Sequence, residues 1–294
     1  MTTTELAPLV TTTAAPRGGG GGRRRRAAEE AGTTFRFSPL AGVGLGTAVL
    51  WMSLLVLLPL AAVVIKSTEV GWSGFWDSIT SPRAAGALRF TIGSSLLVCA
   101  INAVMGTLVA WVLVRDDFPG RRVVDFIIDV PFALPTIVAG LVMNTLYGTD
   151  SPVGIVLYGK RAGIIVALLF VTLPFVVRTV QPVLMAMETD VEEAAASLGA
   201  SPLTTFRRIV LPTILPAIAA GTALAFARAM GEYGSVVLIG GQLNRTQTSS
   251  IFAYNQIQDG NLTDAAATAT VLLVAAVLVI GGLDLLQRWA ARRG

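Results

Sequence analysis

Three charged residues lie in stretches that are otherwise apolar: Asp129, Arg228 and Glu232. Arg228 and Glu232 are four residues apart and therefore share one face of a helix. An ionised group inside a membrane costs roughly a few kcal/mol or more, so such groups face a cavity or a partner. Arg228 is thus placed either to meet an anion or to pair with Glu232 or Asp129 and lock a helix bundle. A paired arginine is locally neutral. Ser94, Ser95, Thr136, Asn144 and Ser235 add uncharged hydrogen-bonding groups. Their alternative role is helix packing, common for small polar side chains. Kinks at Pro131 and Pro135 would point freed backbone N–H groups inward, as discontinuous helices do toward anions.

Little else in the chain is suited to bond chemistry. There is no histidine and one cysteine, Cys99, in an apolar run. That excludes His-ligated metals, a structural zinc and any Ser-His-Asp arrangement, and Cys99 reads as a small core residue. A phosphate-binding G-x-x-x-x-G-K-[ST] loop is absent; the one Gly-Lys pair, Gly159-Lys160, is followed by Arg161.

A second constellation is polar and lies between apolar runs. It reads Glu193-Ala194-Ala195, then Gly199, then Ile209, Leu211 and Pro212. Glu188 to Ser197 is composed of helix formers. Gly199 can take positive φ and end that helix. Ser201 then caps a second short helix with Pro202 at its first position. Glu188, Asp190, Glu192 and Glu193 sit near the first helix's N-terminus, where the macrodipole favours them, and Arg207 and Arg208 near the end of the second.

The elements that must position these residues follow from composition. The 294 residues are 53% hydrophobic and 14% charged, with mean hydropathy +0.70. A soluble domain carries about 25% charge, so this is an integral membrane protein. Six apolar runs, roughly 42–65, 90–114, 123–148, 163–181, 214–239 and 265–287, approach or exceed the ~20 residues a spanning helix needs. Prolines in the third and fourth predict bent, internal helices. Residues 1–37, rich in Gly and Arg, form a disordered cytoplasmic basic tail. With the N-terminus inside, inner segments carry fifteen Lys and Arg, including Arg178, against six outside: Lys66, Arg83, Arg89, Lys160, Arg161 and Arg245. The bias gives six transmembrane helices, N-in and C-in, and puts 188–212 in the cytoplasm. The basic residues flank apolar segments, so the net charge of +4 reports orientation and contact with membrane lipid, not nucleic acid.

The spacing E-A-A-x3-G-x9-I-x-L-P resembles the cytoplasmic loop of ABC importer permeases, where a separate ATPase docks. Asp129-Val130-Pro131-Phe132-Ala133-Leu134-Pro135-Thr136 through Gly140 resembles the third-span motif of the sulfate and thiosulfate permeases, the T subunit type in particular. Phe226 through Val237 is similar to the fifth-span motif shared by the sulfate and molybdate permeases, with Tyr233-Gly234-Ser235 leaning towards sulfate. The resemblance covers 40–290, with Val130 where leucine is expected. It implies an all-α type I ABC importer permease fold over 38–294 in the bacterial cytoplasmic (inner) membrane, and docking of an ATPase by Glu193, Ala194, Ala195, Gly199, Ser201, Pro202, Ile209, Leu211 and Pro212. It also implies a homologous second permease subunit, two ATPase subunits that hold ATP and magnesium, and an extracytoplasmic sulfate-binding protein. Loops 66–88 and 240–263 would face that protein, with Trp72 and Trp76 as contacts or interfacial anchors. No cofactor belongs to this chain. Two alternatives remain open: a molybdate or tungstate permease, and an ion-coupled secondary transporter whose Asp129 and Glu232 bind the cation.

Overall fold

Apolar runs become helices here because hydrocarbon offers backbone groups no partner but one another. A computed structural model describes residues 39–240 and 244–291, and every element among them is helical. The tail at 1–37 lies outside the described residues. The chain divides into two compact units, Met1–Leu58 and Pro59–Gly294. The first contains α1 (Pro39–Met52), a π turn at Ser53–Leu57 and the first residue of α2 (Leu58–Ser67).

The second unit continues with α3 (Gly71–Thr80), α4 (Pro82–Arg115), α5 (Arg121–Ala133), α6 (Thr136–Tyr147) and α7 (Arg161–Ala186). Then come α8 (Asp190–Ser197), α9 (Pro202–Thr205), a π turn at Phe206–Val210, α10 (Leu211–Met230), α11 (Gly234–Gly240), α12 (Ser249–Gln258) and α13 (Leu262–Ala291). The segments expected as outer loops are therefore partly helical, as α3 and α12.

Proline shapes several of these elements. A residue before proline is pushed out of the α region, and Leu134, before Pro135, is extended at φ −81°, ψ 132°. The third apolar run breaks there, and α5 and α6 are bent by 117°. Pro212 behaves differently. Its ring would clash with the carbonyl four residues back, but the π turn ending at Val210 widens the backbone just before it. The helix passes through, so Pro202–Met230 is one helix of 29 residues. The expected second short helix of the polar loop does not end; it is the first turn of a span. Arg207 and Arg208 accordingly lie within a helix, not at its end.

The bundle core is α4, α7 and α10. Its buried side chains include Leu113, Val176, Val177, Val180, Leu184, Ile214 and Phe226. In a membrane such contact relies on close packing more than on hydrophobic drive. Two glycines allow it. A β-carbon at Gly106 on α4 would stand 2.9 Å from Val176 Cβ, and one at Gly221 on α10 would stand 2.1 Å from Thr179 Oγ1 and 2.8 Å from Val176 Cα. Helices α4 and α10 thus close on α7 from two sides.

Chain direction fixes the faces. Arg115 at the end of α4 bonds Glu192 in the polar loop, so both lie on one face. The bent α5–α6 pair starts near that face and ends where Leu157 N–H donates to Tyr147 O, just before α7. Helix α7 then returns to the polar loop. The bent pair is therefore one crossing, and with the five long apolar helices makes six. Arg178, counted with the inner segments, lies two turns inside α7.

A valine at Gly221 should overpack the α7–α10 contact and lower the thermal midpoint of the detergent-purified protein, by the equivalent of about 1–3 kcal/mol. Gly281→Val, where a β-carbon would meet nothing within 4 Å, should leave the midpoint in place. Equal midpoints for the two variants would refute the close packing of these helices.

Candidate functional site: an exposed polar loop beneath a charge-paired interior

The polar loop is built as its residues dictate. Helix α8 begins at Asp190, after Thr189, so Glu188 precedes it, and Asp190, Glu192 and Glu193 occupy its first turn. It ends at Gly199, φ +83°. There Ala200 N–H donates to Ala195 O and Gly199 N–H to Ala196 O, a left-handed cap that only glycine adopts without strain. Ser201 Oγ accepts from Thr204 N–H at 3.3 Å, capping the helix that Pro202 opens.

Glu193, Ala194, Gly199, Ser201 and Pro202 are exposed and Ala195 half-buried. Leu198, 90% exposed, and Leu203 stand beside them as uncovered apolar knobs. Ile209 and Leu211 are half-buried, and Leu211 packs on the core around Val210 and Ile214; Pro212 is exposed. The loop thus has an outward half, up to Leu203, and an inward half rooted in the bundle.

Two contacts tie the loop to α4. Arg115 Nη2 donates to Glu192 Oε1 at 2.5 Å, both side chains being mostly buried. The Arg115 guanidinium also lies 5.8 Å from the Trp111 ring, and Trp111 meets Phe206 edge-on at 5.5 Å. Phe206 belongs to the π turn that joins the loop to α10.

The interior charges sort differently from the sequence expectation. Asp129 does not meet Arg228. It takes Arg178 in a fork, Nε to Oδ1 at 2.6 Å and Nη2 to Oδ2 at 2.7 Å. The same guanidinium donates to Asp125 Oδ1 at 2.7 Å, Asp125 O at 2.7 Å and Gln181 Oε1 at 2.6 Å. All the guanidinium's nitrogens are thus engaged, and α5 is fastened to α7. Asp125 and Gln181 were legible in principle, since Asp125 is four residues before Asp129 on an amphipathic helix.

Arg228 pairs with Glu232, Nη1 to Oε2 at 2.6 Å, and the Glu232 side chain is 1% exposed. Glu232 Oε1 accepts Ser235 N–H at 2.8 Å, so one carboxylate neutralises an arginine and caps α11. Its first residues lie against α6: a β-carbon at Gly234 would stand 2.3 Å from Thr136 Oγ1 and 2.8 Å from Ile137 N. Of the proposed path residues, the structure gathers Thr136, Arg228, Glu232 and Ser235. Asn144 lies two turns further along α6, and Ser94 and Ser95 on α4. Ser94 Oγ donates to Thr91 O. Ser95 Oγ, Ser235 Oγ and Asn144 Oδ1 are buried with no hydrogen-bond partner among the described residues.

Residues 102–293 match the family model described as "Binding-protein-dependent transport system inner membrane component". The sulfate transport system permease protein CysT of Synechocystis sp. is 42% identical over 252 residues, 83% of this chain and 88% of that protein. Its counterpart in Salmonella typhimurium is 39% identical over 259 residues, 85% and 94% of the two chains. Among solved structures, a chain of a bacterial alginate ABC transporter superposes with TM-score 0.72 at 17% identity, over 85% of this chain and 94% of that one. A chain of the MetNI methionine ABC transporter gives 0.56 at 21%, over 69% and 94%.

The Arg228–Glu232–Ser235 arrangement predicts an asymmetry. Glu232→Ala strands the guanidinium and reopens an α11 amide, so it should destabilise the purified protein by about 1–3 kcal/mol. Arg228→Ala, which leaves the buried Glu232 carboxylate without its cation, should cost more. The Arg228→Ala/Glu232→Ala variant should be more stable than additivity predicts. Strict additivity in thermal unfolding would mean the pair does not interact.

Proposed function

This chain belongs to the family of binding-protein-dependent transport system inner membrane components, and from that premise we propose that it conducts sulfate, with thiosulfate, across the inner membrane as one permease subunit of an ATP-driven importer. Sulfate is supported by the sulfate permease relatives, about two-fifths identical over most of the chain. The permease does no bond chemistry. ATP and magnesium are held by separate ATPase subunits, two of them, docked on the loop. A homologous permease subunit completes the pathway, and a sulfate-binding protein delivers cargo to the outer face.

The observation that carries the mechanism is the continuous helix from Pro202 to Met230. Displacement of the loop by a closing ATPase pair is not absorbed at a joint but carried along about 39 Å of helix, at 1.5 Å per residue, to Arg228. Leu198 and Leu203 give the ATPase apolar purchase, and the small Ala194 and Ala195 let its surface approach closely. Glu193 adds a charge for a basic partner group. Arg115 and Trp111 bring α4 along. At the inner end, the Arg178 fork keeps α5 with α7 during the motion.

The cation-coupled alternative needs a carboxylate free to take a cation. Asp129 and Glu232 are each held by an arginine, which disfavours it. Molybdate and tungstate share the charge and shape of sulfate and are separated by competition.

Cells lacking this chain, and no redundant system, should lose radiolabelled sulfate uptake. Thiosulfate should compete with the restored uptake more strongly than molybdate. Uptake should fail on ATP depletion and survive an uncoupler while ATP is maintained. Glu193→Lys, Gly199→Asp and Leu198→Asp should abolish uptake with the protein still inserted. Unchanged sulfate uptake in the deletion strain, or normal uptake in all three variants, would contradict this function.

A further inference from the structure

The outer face carries cations that the fold does not explain. Lys160 and Arg161 are the cap and first residue of α7, with no acidic residue in its first turn. A helix N-terminus carries roughly half a positive charge, and cations there are disfavoured. Cations outside the membrane also run against the orientation rule. Arg161 and Arg245 are both exposed, and no carboxylate among the described residues lies within ion-pair distance of either.

Their geometry is fixed all the same. Arg161 Nε donates to Arg245 O at 3.1 Å, and Arg245 Nε donates to Gly159 O at 3.3 Å. Arg161 also rests 5.3 Å from the Phe90 ring. Each guanidinium is thus anchored by Nε, while its terminal nitrogens have no protein acceptor among the described residues. Free, planar forks of this kind match tetrahedral oxyanions, which they can bind through two parallel hydrogen bonds.

The position connects this pair to the interior. Gly159 N–H donates to Ile239 O, and a β-carbon at Gly240 would touch Ile164 at 3.3 Å and Thr246 at 3.8 Å. The outer end of α11 therefore abuts the arginine pair. Its other end carries the Glu232 cap beside Arg228. Helix α11 has seven residues, or about 10 Å of rise.

We propose that Arg161 and Arg245, with Lys160 beside them, form a receiving site for a tetrahedral dianion at the outer mouth, the first station for sulfate released by the binding protein. The assignment rests on the sulfate reading above. The ligand is small, since the charge is concentrated at one helix start and the forks are held rigidly by backbone carbonyls.

The test uses the assembled transporter in proteoliposomes with sulfate-loaded binding protein. Arg161→Gln and Arg245→Gln should each lower sulfate uptake per ATP hydrolysed about tenfold, the loss of one charge-assisted contact. The binding-protein concentration that half-stimulates ATP hydrolysis should not move. Arg161→Lys should fall between, keeping charge without the fork. A raised half-stimulation concentration, with uptake recovered at saturating binding protein, would overturn the proposal in favour of docking to carboxylates. A loss in the glutamine variants seen with vesicles containing phosphatidylglycerol and absent with phosphatidylcholine alone would assign the forks to anionic lipid headgroups and also overturn it. Unchanged uptake would remove the site altogether. If the Gln variants do not assemble, Arg161→Lys and Arg245→Lys decide: wild-type uptake in both would exclude fork recognition. No sulfate uptake by the wild type would overturn the sulfate reading itself.

Discussion

Hydrocarbon supplies no water, so every open charge and backbone amide inside the bundle must find its partner in the protein. Much of the interior follows from that constraint. The third run cannot remain helical at Leu134-Pro135, and the fifth ends at Met230, so each leaves amides exposed at the start of a half-helix. At α11 the sequence answers with Glu232, which takes Ser235 N–H. A buried carboxylate then needs a cation, and Arg228 is placed one turn back to provide it. The broken helix and the ion pair are one device. At α5 and α7 the same logic gives Arg178 five donor contacts to Asp125, Asp129 and Gln181. Removing either arginine would leave a carboxylate that the membrane penalises.

On the proposed reading, movement is transmitted along a helix without a joint. A proline would ordinarily interrupt a helix, and a flexible break between loop and span would waste the displacement of the loop. The π turn before Pro212 absorbs the steric conflict while keeping the helix continuous. A π turn likewise ends two residues before Pro59. Below Pro212 the Phe206 ring leans on Trp111, and Trp111 lies under Arg115, which holds Glu192. Loop, α4 and α10 are therefore coupled by direct side-chain contacts.

What is legible in the sequence is periodic or local. Run lengths give the crossings, Gly199 gives the turn and Ser201-Pro202 gives the cap, because each depends on a few neighbouring residues. Long-range pairing is not legible. Asp129 has two candidate arginines, Arg228 and Arg178, and composition alone ends the fourth apolar run near Arg178, which makes that residue look like part of a loop. Helix α7 continues to Ala186, and that extension brings Arg178 into the bundle. The polar loop's second helix is hidden for a related reason. Proline suggests an end, and nothing local distinguishes a proline that stops a helix from one that a π turn accommodates. Helices α3 and α12 escape a search for apolar runs because their apolar faces are short and their flanks polar.

On the proposed reading, charge pairing also sets how an anion can be both drawn in and let go. An unpaired arginine in the interior, at an effective dielectric near 20, would attract a dianion at 4 Å by about 8 kcal/mol, twice the single-charge value. That corresponds to roughly a millionfold in affinity, and escape would be correspondingly slow. With Glu232 2.6 Å from Arg228, the two unit charges cancel at a distance and a dipole remains. The unpartnered hydroxyl of Ser235 and carbonyl of Asn144 act over shorter range, and only the hydroxyl can donate to an anion. At the outer mouth the balance reverses. Arg161 and Arg245 stand in water, where the same contact is worth about 2 kcal/mol, and they can remain unpaired because attraction at that strength is easily undone. The chain thus keeps net positive charge where solvent weakens it and cancels it where solvent is absent, which is the distribution a route for a dianion requires.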